Sequence, residues 1–221
     1  MAPVSETFAN LPSSFKQGWN EAIYPSPAQR AGMRERVEKA ISDAEFVFSN
    51  SKVRVHAECD FQAIELPGLK IGPFSRGKRY TLPLWVAEEL ARKGIVRLVE
   101  EASLRPEELM TIHHREASLS KGLSPDVPDD FYPRLRRLLA RAREEAERDP
   151  GKLQEFNRLL NMARDVVNAR LKKIVSLASS VARSPLTRKD LTPEEEAIFE
   201  LVGDISDAWR EEVLGHVGAG K

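Results

Sequence analysis

The sequence predicts an α+β fold in which a small β-rich domain is followed by a larger all-α helical domain. Two observations carry this prediction. Between residues 51 and 101, apolar side chains alternate with polar ones in short runs, as half-buried strands require. Beyond that segment, apolar residues recur at intervals of three and four, which is the spacing of amphipathic helices. With 221 residues, the chain is long enough to bury a core in each part.

Residues 1–50 are predicted to form an N-terminal arm and a short helix. The arm carries Pro12, Pro25 and Pro27 among apolar residues, so we expect it to be loosely ordered. Apolar residues then recur at helical spacing from Met33 to Phe48, which predicts one amphipathic helix. The sequence leaves the role of this region open.

The small β-rich domain is predicted over residues 51–101. Its strands are expected at Val53–Ala57, Phe61–Leu66, Tyr80–Leu82 and Ile95–Val99. Between the last two strands, a segment with proline at its start (Pro83) and glycine at its end (Gly94) predicts a single short helix. Three residues of this helix are predicted to belong to the domain core: Leu84, Trp85 and Leu90.

The helical domain is predicted over residues 102–216, with a short tail at 217–221. Its helices are expected at 103–119, from about 131 to 148, at 153–181 and from Thr192 onward, where Glu195 completes a capping box. The third helix keeps an apolar stripe for about eight turns, and a stripe of that length requires partner helices. We therefore predict a subunit interface at Phe131, Tyr132, Val167, Leu171, Ile174 and Ala178. For the Phe131–Tyr132 pair, a staple inside the domain is an equally good interpretation.

Composition restricts the class of protein. Lysine plus arginine equal aspartate plus glutamate at 34 each, so no overall positive field attracts nucleic acid or anionic membranes. The single cysteine, Cys59, cannot form an internal disulfide, which is typical of a reducing compartment. No signal peptide and no apolar run of membrane-spanning length is visible, and we expect a cytoplasmic protein without a membrane contact.

No set of catalytic, cofactor-binding or metal-binding residues is predicted. The segment from Gly72 to Lys78 has the glycine and lysine spacing of a phosphate-binding loop, but Arg79 follows where serine or threonine is needed. The neighbouring His113 and His114 diverge by about 100° on a helix and cannot share one metal ion. We therefore predict that the protein is not an enzyme and has no cofactor.

Two groups of basic residues suggest a nucleic-acid contact. The first follows residue 133 and the second lies in the longest helix, where possible DNA contacts are Arg170, Lys172 and Lys173. Basic residues on helices are more often solvated and paired with glutamate. The alternative to a scaffold protein is thus a nucleic-acid-binding regulatory protein that uses the β module and the basic helices.

Several segments, taken in order, resemble the GINS family of DNA replication proteins in its archaeal type. They are Gly72-Pro-Phe-Ser-Arg-Gly77, Leu82-Pro-Leu-Trp-Val-Ala-Glu-Glu-Leu90, Gly94-Ile-Val96, Leu123-Ser-Pro-Asp-Val-Pro-Asp-Asp-Phe-Tyr132, Arg170-Leu-Lys-Lys-Ile174 and Leu191-Thr-Pro-Glu-Glu195. Together they cover about residues 51–214. A small domain before the helical one resembles the β-first arrangement among GINS subunits.

This resemblance implies a non-catalytic subunit of a tetrameric GINS complex. It implies a sister GINS subunit as partner, in a heterotetramer, with a homotetramer as the other possibility. It further implies that the complex acts at the replication fork as a helicase accessory scaffold, holding the MCM replicative helicase to a RecJ-like protein. DNA contact would then be weak or indirect, and the protein would be nucleoid-associated in the cytoplasm.

Overall fold

The computed structural model describes residues 27–66, 68–99, 103–119, 122–125, 127–180 and 185–214. The predicted arm before Pro27, the predicted tail and the last predicted residue of the longest helix, Val181, lie outside these ranges. The chain divides into two compact units, Met1–Lys39 and Ala40–Lys221. None of the helices in the described ranges is long and apolar enough to cross a membrane.

The first helix, α1 (Pro27–Ser49), begins before the boundary of the two units and ends beyond it. In the first unit, an exposed ion pair joins Arg34 to Glu38 one turn later at 2.6 Å, a contact that stabilises the helix only slightly. In the second unit, Ala44 and Phe48 are buried. The predicted helix is confirmed and begins earlier than expected, at a proline suited to a first helical position.

In the part of the chain that the structure describes, the β-rich region comprises two small antiparallel sheets and one α-helix. The strands are β1 (Lys52–Ala57), β2 (Ile64–Leu66), β3 (Leu69–Ile71), β4 (Arg79–Pro83) and β5 (Val96–Leu98), and the helix is α2 (Leu84–Arg92). The order in the larger sheet is β4-β1-β5, while β2 and β3 form a hairpin. Phe61 makes only an isolated bridge with Phe74, so the predicted second strand is shorter than expected.

The core of this part lies between the larger sheet and α2. Val55 and Leu82 of the sheet pack with Val86 and Leu90 of the helix. Leu84 is also buried. The prediction that Trp85 belongs to the core was wrong, because its position on α2 is opposite to the buried face and leaves it 43% exposed.

Within its described residues, the helical part contains four α-helices. They are α3 (Pro106–Ser118), α4 (Phe131–Arg148), α5 (Leu153–Ala178) and α6 (Pro193–Leu214), with 3₁₀ turns at Pro150–Lys152 and Pro185–Asp190. Asp149 ends α4, and its carboxylate accepts a hydrogen bond of 2.9 Å from the Gly151 N–H. With a small β-rich region followed by these helices, the predicted α+β fold class is confirmed.

Two apolar clusters hold the helices together. The first joins α3, α4 and α5 through Leu109, Ile112, Phe131, Leu135, Leu138, Leu159, Ala163 and Val166. The second joins the C-terminal half of α5 to α6, to the loop before α4 and to the loop before α6, through Leu123, Ile174, Ala178, Leu191 and Phe199. Because the two clusters follow each other along α5, that helix is the central element of the bundle.

Candidate subunit interface

A buried arginine stands between the two apolar clusters. The side chain of Arg170 in α5 is 0% exposed. Its Nε and Nη2 donate to the two carboxylate oxygens of Glu195 at 2.5 and 2.7 Å, and its Nη1 donates to Glu116 at 2.6 Å. Nη2 also donates to the Asp190 carbonyl at 2.8 Å. A planar guanidinium suits this fork, since it can serve two carboxylates at once.

Both carboxylates have further partners. Glu195 closes the predicted capping box by accepting from the Thr192 N–H at 3.0 Å, and it also accepts from the Tyr132 hydroxyl at 2.7 Å. Glu116 accepts from Lys173 Nζ at 2.5 Å and from the Ser124 N–H at 3.1 Å. This Arg170 network therefore ties α3, α4, α5 and α6 together through buried polar contacts.

The surroundings shift the pKa values of two groups in the network, Glu116 and Tyr132. Burial raises the pKa of Glu116, but Lys173, the Ser124 N–H and Arg170 outweigh burial and hold it below its usual range. Burial and the neighbouring Glu195 carboxylate raise the pKa of Tyr132. At neutral pH the Glu116 carboxylate is thus ionised and the Tyr132 phenol is neutral, which is the arrangement that their hydrogen bonds require.

The network corrects the predicted DNA contacts. Arg170 is enclosed by protein, and Lys173 is largely buried with its ammonium on Glu116, so neither side chain is available to a phosphate. Only Lys172 is exposed. A signal for this was present in the sequence: Arg170 follows Val166 and precedes Ile174 by four residues each, which places it on the buried face of the helix.

Most of the predicted interface residues also lie inside the chain. Phe131, Ile174 and Ala178 are each at most 1% exposed, because α3, α5, α6 and their loops already cover them. Tyr132 is directed to Glu195 and packs against the first cluster. The three buried residues have no surface left for another subunit, which corrects the prediction for them. For Phe131 and Tyr132 the structure shows the contact inside the domain.

The other predicted interface residues remain exposed. Val167 and Leu171, together with Val175, follow each other at intervals of four along α5 and are 37–40% exposed. We call these three residues the α5 stripe. The apolar surface of α5 is therefore wider than the part that its own chain covers.

A second apolar stripe lies at the C-terminal end of α6. Its three side chains again follow each other at intervals of four and are at least half exposed: Ile205, Trp209 and Val213. We call the three residues the α6 stripe. Clustered apolar side chains at helical spacing are typical of a surface that meets another protein.

The basic residues of α4 are engaged in ion pairs. Arg136 and Arg137 both contact the Glu45 carboxylate of α1, at 2.7 and 2.6 Å. Arg137 also reaches Glu88 of α2 at 3.1 Å, and its guanidinium lies 4.7 Å from the ring centre of Phe48. We call Arg136 and Arg137 the arginine clamp. Burial raises the pKa of Glu45, but hydrogen bonds from the clamp outweigh it and hold the pKa low.

The segment from Gly72 to Lys78 lies in the β-rich part as a connection between strands. The Gly77 N–H donates to the Ala57 carbonyl and the Ser75 N–H donates to the Tyr80 hydroxyl, so its backbone donors serve the sheet. Lys78 is exposed and is followed by β4, with no helix to receive a phosphate. Among the described residues, no group of three or more His, Cys, Asp and Glu is arranged to hold a metal ion.

The chain thus combines a small β domain with a helical bundle that leaves the α5 and α6 stripes exposed. The family model of the GINS complex protein helical bundle domain matches residues 103–214, and the PSF2 N-terminal domain matches residues 40–99. None of the curated proteins matches the chain. The chain belongs to the GINS family, whose domains indicate a subunit of a DNA replication complex that associates with other GINS subunits.

Proposed function

We propose that the chain is a non-catalytic GINS subunit that joins its sister subunits through the α5 and α6 stripes. The observation that carries this proposal is the α5 stripe, Val167, Leu171 and Val175, on the helix that organises the bundle. Covering one such side chain completely contributes about 1.5–3 kcal/mol relative to full exposure. Since these side chains are already partly covered, each contributes only a part of that amount, and a stable interface must extend to neighbouring surface.

The assembled complex is proposed to hold the MCM replicative helicase and a RecJ-like protein at the replication fork. A rigid body that binds two machines turns their second contact into an intramolecular event, which raises the apparent affinity without any new contact. The Arg170 network and the arginine clamp support such a role, because they fix the helices and α2 by side-chain contacts. The scaffold needs no bond-making chemistry, and its place would be the nucleoid in the cytoplasm.

DNA contact is proposed to be weak or indirect. Arg170 and Lys173 serve the buried network, and the α4 arginines from Arg134 to Arg143 are all in ion pairs with carboxylates. Measuring the affinity for duplex DNA against salt concentration tests this. We expect a shallow dependence, whereas a steep negative slope reports several phosphate contacts and would favour the nucleic-acid-binding regulator.

The scaffold role is tested by reconstitution. The chain is mixed with a sister GINS subunit, and MCM and a RecJ-like protein are added singly and together before size-exclusion chromatography. We expect one complex that contains both partners, and a heterotetramer when GINS subunits alone are mixed. A chain that forms its oligomer but retains neither partner would contradict the scaffold role without contradicting the family. A tetramer of the chain alone would favour the homotetramer.

A further inference from the structure

A groove lies between α1 and the first turn of α4 with the loop before it. One wall is formed by α1, including Ala44 and Val47, and the other by Asp129, Asp130 and Pro133. Its volume is 530 Å³. This volume falls within the roughly 300–1,000 Å³ of sites that enclose small ligands or side chains. We call it the α1 groove.

The two walls are fixed by the arginine clamp. Glu45 follows the lining residue Ala44 on α1, and both Arg136 and Arg137 of α4 bind its carboxylate. The guanidinium of Arg137 also stacks on Phe48, a residue that lines the groove. A groove whose walls are already joined loses little conformational entropy on binding, so even a short ligand can bind with useful affinity.

The groove combines an apolar floor with an acidic rim. Ala44 and Pro133 are buried, and Val47 is 69% exposed, which leaves a large apolar side chain uncovered at the groove. Around this floor stand Asp43, Asp129 and Asp130. Complementarity therefore requires a ligand with an apolar side chain and a nearby positive charge. The rim repels phosphates, so a nucleic acid is not the expected occupant.

We propose that the α1 groove docks a short segment of a partner protein in which an apolar side chain is flanked by lysine or arginine. The apolar side chain covers Val47 and packs against Ala44 and Pro133, while the cation interacts with the aspartates of the rim. Such a mode places an apolar anchor in a helical groove and uses charge for orientation. The groove shares no residue with the α5 and α6 stripes, so this contact is proposed in addition to subunit assembly.

The test uses a library of random dodecapeptides displayed on phage, selected against the full chain and against the chain assembled with a sister GINS subunit. The consensus peptide is then synthesised with a fluorophore, and its affinity is measured by anisotropy. We expect a consensus with an apolar residue beside lysine or arginine. Val47→Arg should weaken its binding by about tenfold or more, because the substitution places a cation where the anchor binds.

The matched control is Phe46→Arg. Phe46 precedes Val47 on the same helix, is equally exposed at 69%, and does not line the groove. Its substitution should leave the peptide affinity unchanged, and both variants should retain the wild-type melting temperature and oligomer mass. Asp129→Asn should weaken binding and reduce its dependence on salt, since it removes one charge of the rim.

Three results would overturn the proposal. The first is a consensus that is acidic or lacks charge. The second is an equal loss of affinity with Phe46→Arg and Val47→Arg. The third is binding to the lone chain that a sister subunit abolishes, because the groove would then be a subunit contact. Since oligomer mass is measured on the same samples, failure of peptide binding is distinguishable from failure of assembly.

Discussion

Replacing Arg170 with methionine tests whether the buried network holds the helical domain together. The variant keeps the unbranched apolar stem of the side chain but removes the group that joins Glu116 in α3 to Glu195 in α6. Both carboxylates are almost fully buried, so neither can recover its lost partner from water. Lys173 still pairs with Glu116, and therefore Glu195 loses the larger share of its stabilisation.

The expected cost is large for a single substitution. Removing one partner of a buried ion pair costs about 3–5 kcal/mol, mainly because the other charge stays buried. In a protein of this size, each kcal/mol changes the melting temperature by about 2–4 °C, which gives a decrease of roughly 6–20 °C. Arg170→Lys should recover little of this loss, since an ammonium cannot donate along the same fork as the guanidinium.

Thermal unfolding followed by circular dichroism at 222 nm measures the effect. The matched control is Lys172→Met, two residues along the same helix and exposed, which should change the free energy of unfolding by less than about 0.5 kcal/mol. Equal melting temperatures for Arg170→Met and Lys172→Met would refute the reasoning. So would a full rescue by Arg170→Lys, because the geometry of the fork would then be unimportant.

The remaining predictions concern pH and the arginine clamp. Neither buried oxygen of Glu194 makes a well-formed hydrogen bond, and burial raises its pKa, so its contribution to stability is lost as pH rises. Glu194→Gln should therefore stabilise the chain by roughly 1 kcal/mol at pH 7, and this gain should disappear toward pH 4, as melting curves at both pH values would report. The pKa of Glu116 is held low, so Glu116→Gln should destabilise the chain at pH 7, and its stability should differ less from that of wild type in acid. If Glu194→Gln and Glu116→Gln changed stability with pH in the same direction, these predictions would be contradicted. Arg137→Ala should lower the free energy of unfolding by roughly 1–2 kcal/mol and accelerate hydrogen exchange in α2, because it removes the contacts to Glu45 and Glu88. The control Arg141→Ala breaks an exposed pair within α4 and should lower it by less than about 0.5 kcal/mol. Equal exchange in the two variants would count against the clamp.

Helices with local end signals were predictable from the sequence. The sequence Asp149-Pro150-Gly151 ends α4, and Thr192 with Glu195 begins α6 by the hydrogen bonds that a capping box requires. These signals act over three or four residues and do not depend on the rest of the fold. The hairpin strand β3 has only three residues, which is too short for alternation to become visible.

The neighbour of each helix face was not predictable in the same way. Helical spacing places Ile174 and Leu171 on one apolar stripe. Only the tertiary structure reveals that Ile174 is covered by Leu123, Leu191 and Phe199, whereas Leu171 stays exposed. Trp85 was misassigned for a related reason, since an aromatic residue beside Leu84 need not share its face.

Long-range ion pairs could also not be predicted from the sequence. The contact of Arg137 with Glu45 joins residues 92 positions apart, and periodicity within either helix carries no information about it. The same holds for Arg170 and Glu116. The sequence therefore suggested that the basic residues of α4 and α5 are solvated or bind DNA, whereas Arg137 and Arg170 form ion pairs that stabilise the fold.

The most direct test of the central claim is the mass of the assembly formed by Leu171→Lys. Leu171 is 40% exposed in the middle of the α5 stripe, so a lysine there can reach water in the free chain but is buried in a subunit contact. Wild type, Leu171→Lys and the control Lys172→Ala are each mixed with a sister GINS subunit and measured by multi-angle light scattering. We predict the full oligomer for wild type and Lys172→Ala, and a smaller species with an unchanged melting temperature for Leu171→Lys. An identical oligomer mass for all three would contradict the claim that the α5 stripe joins the subunits.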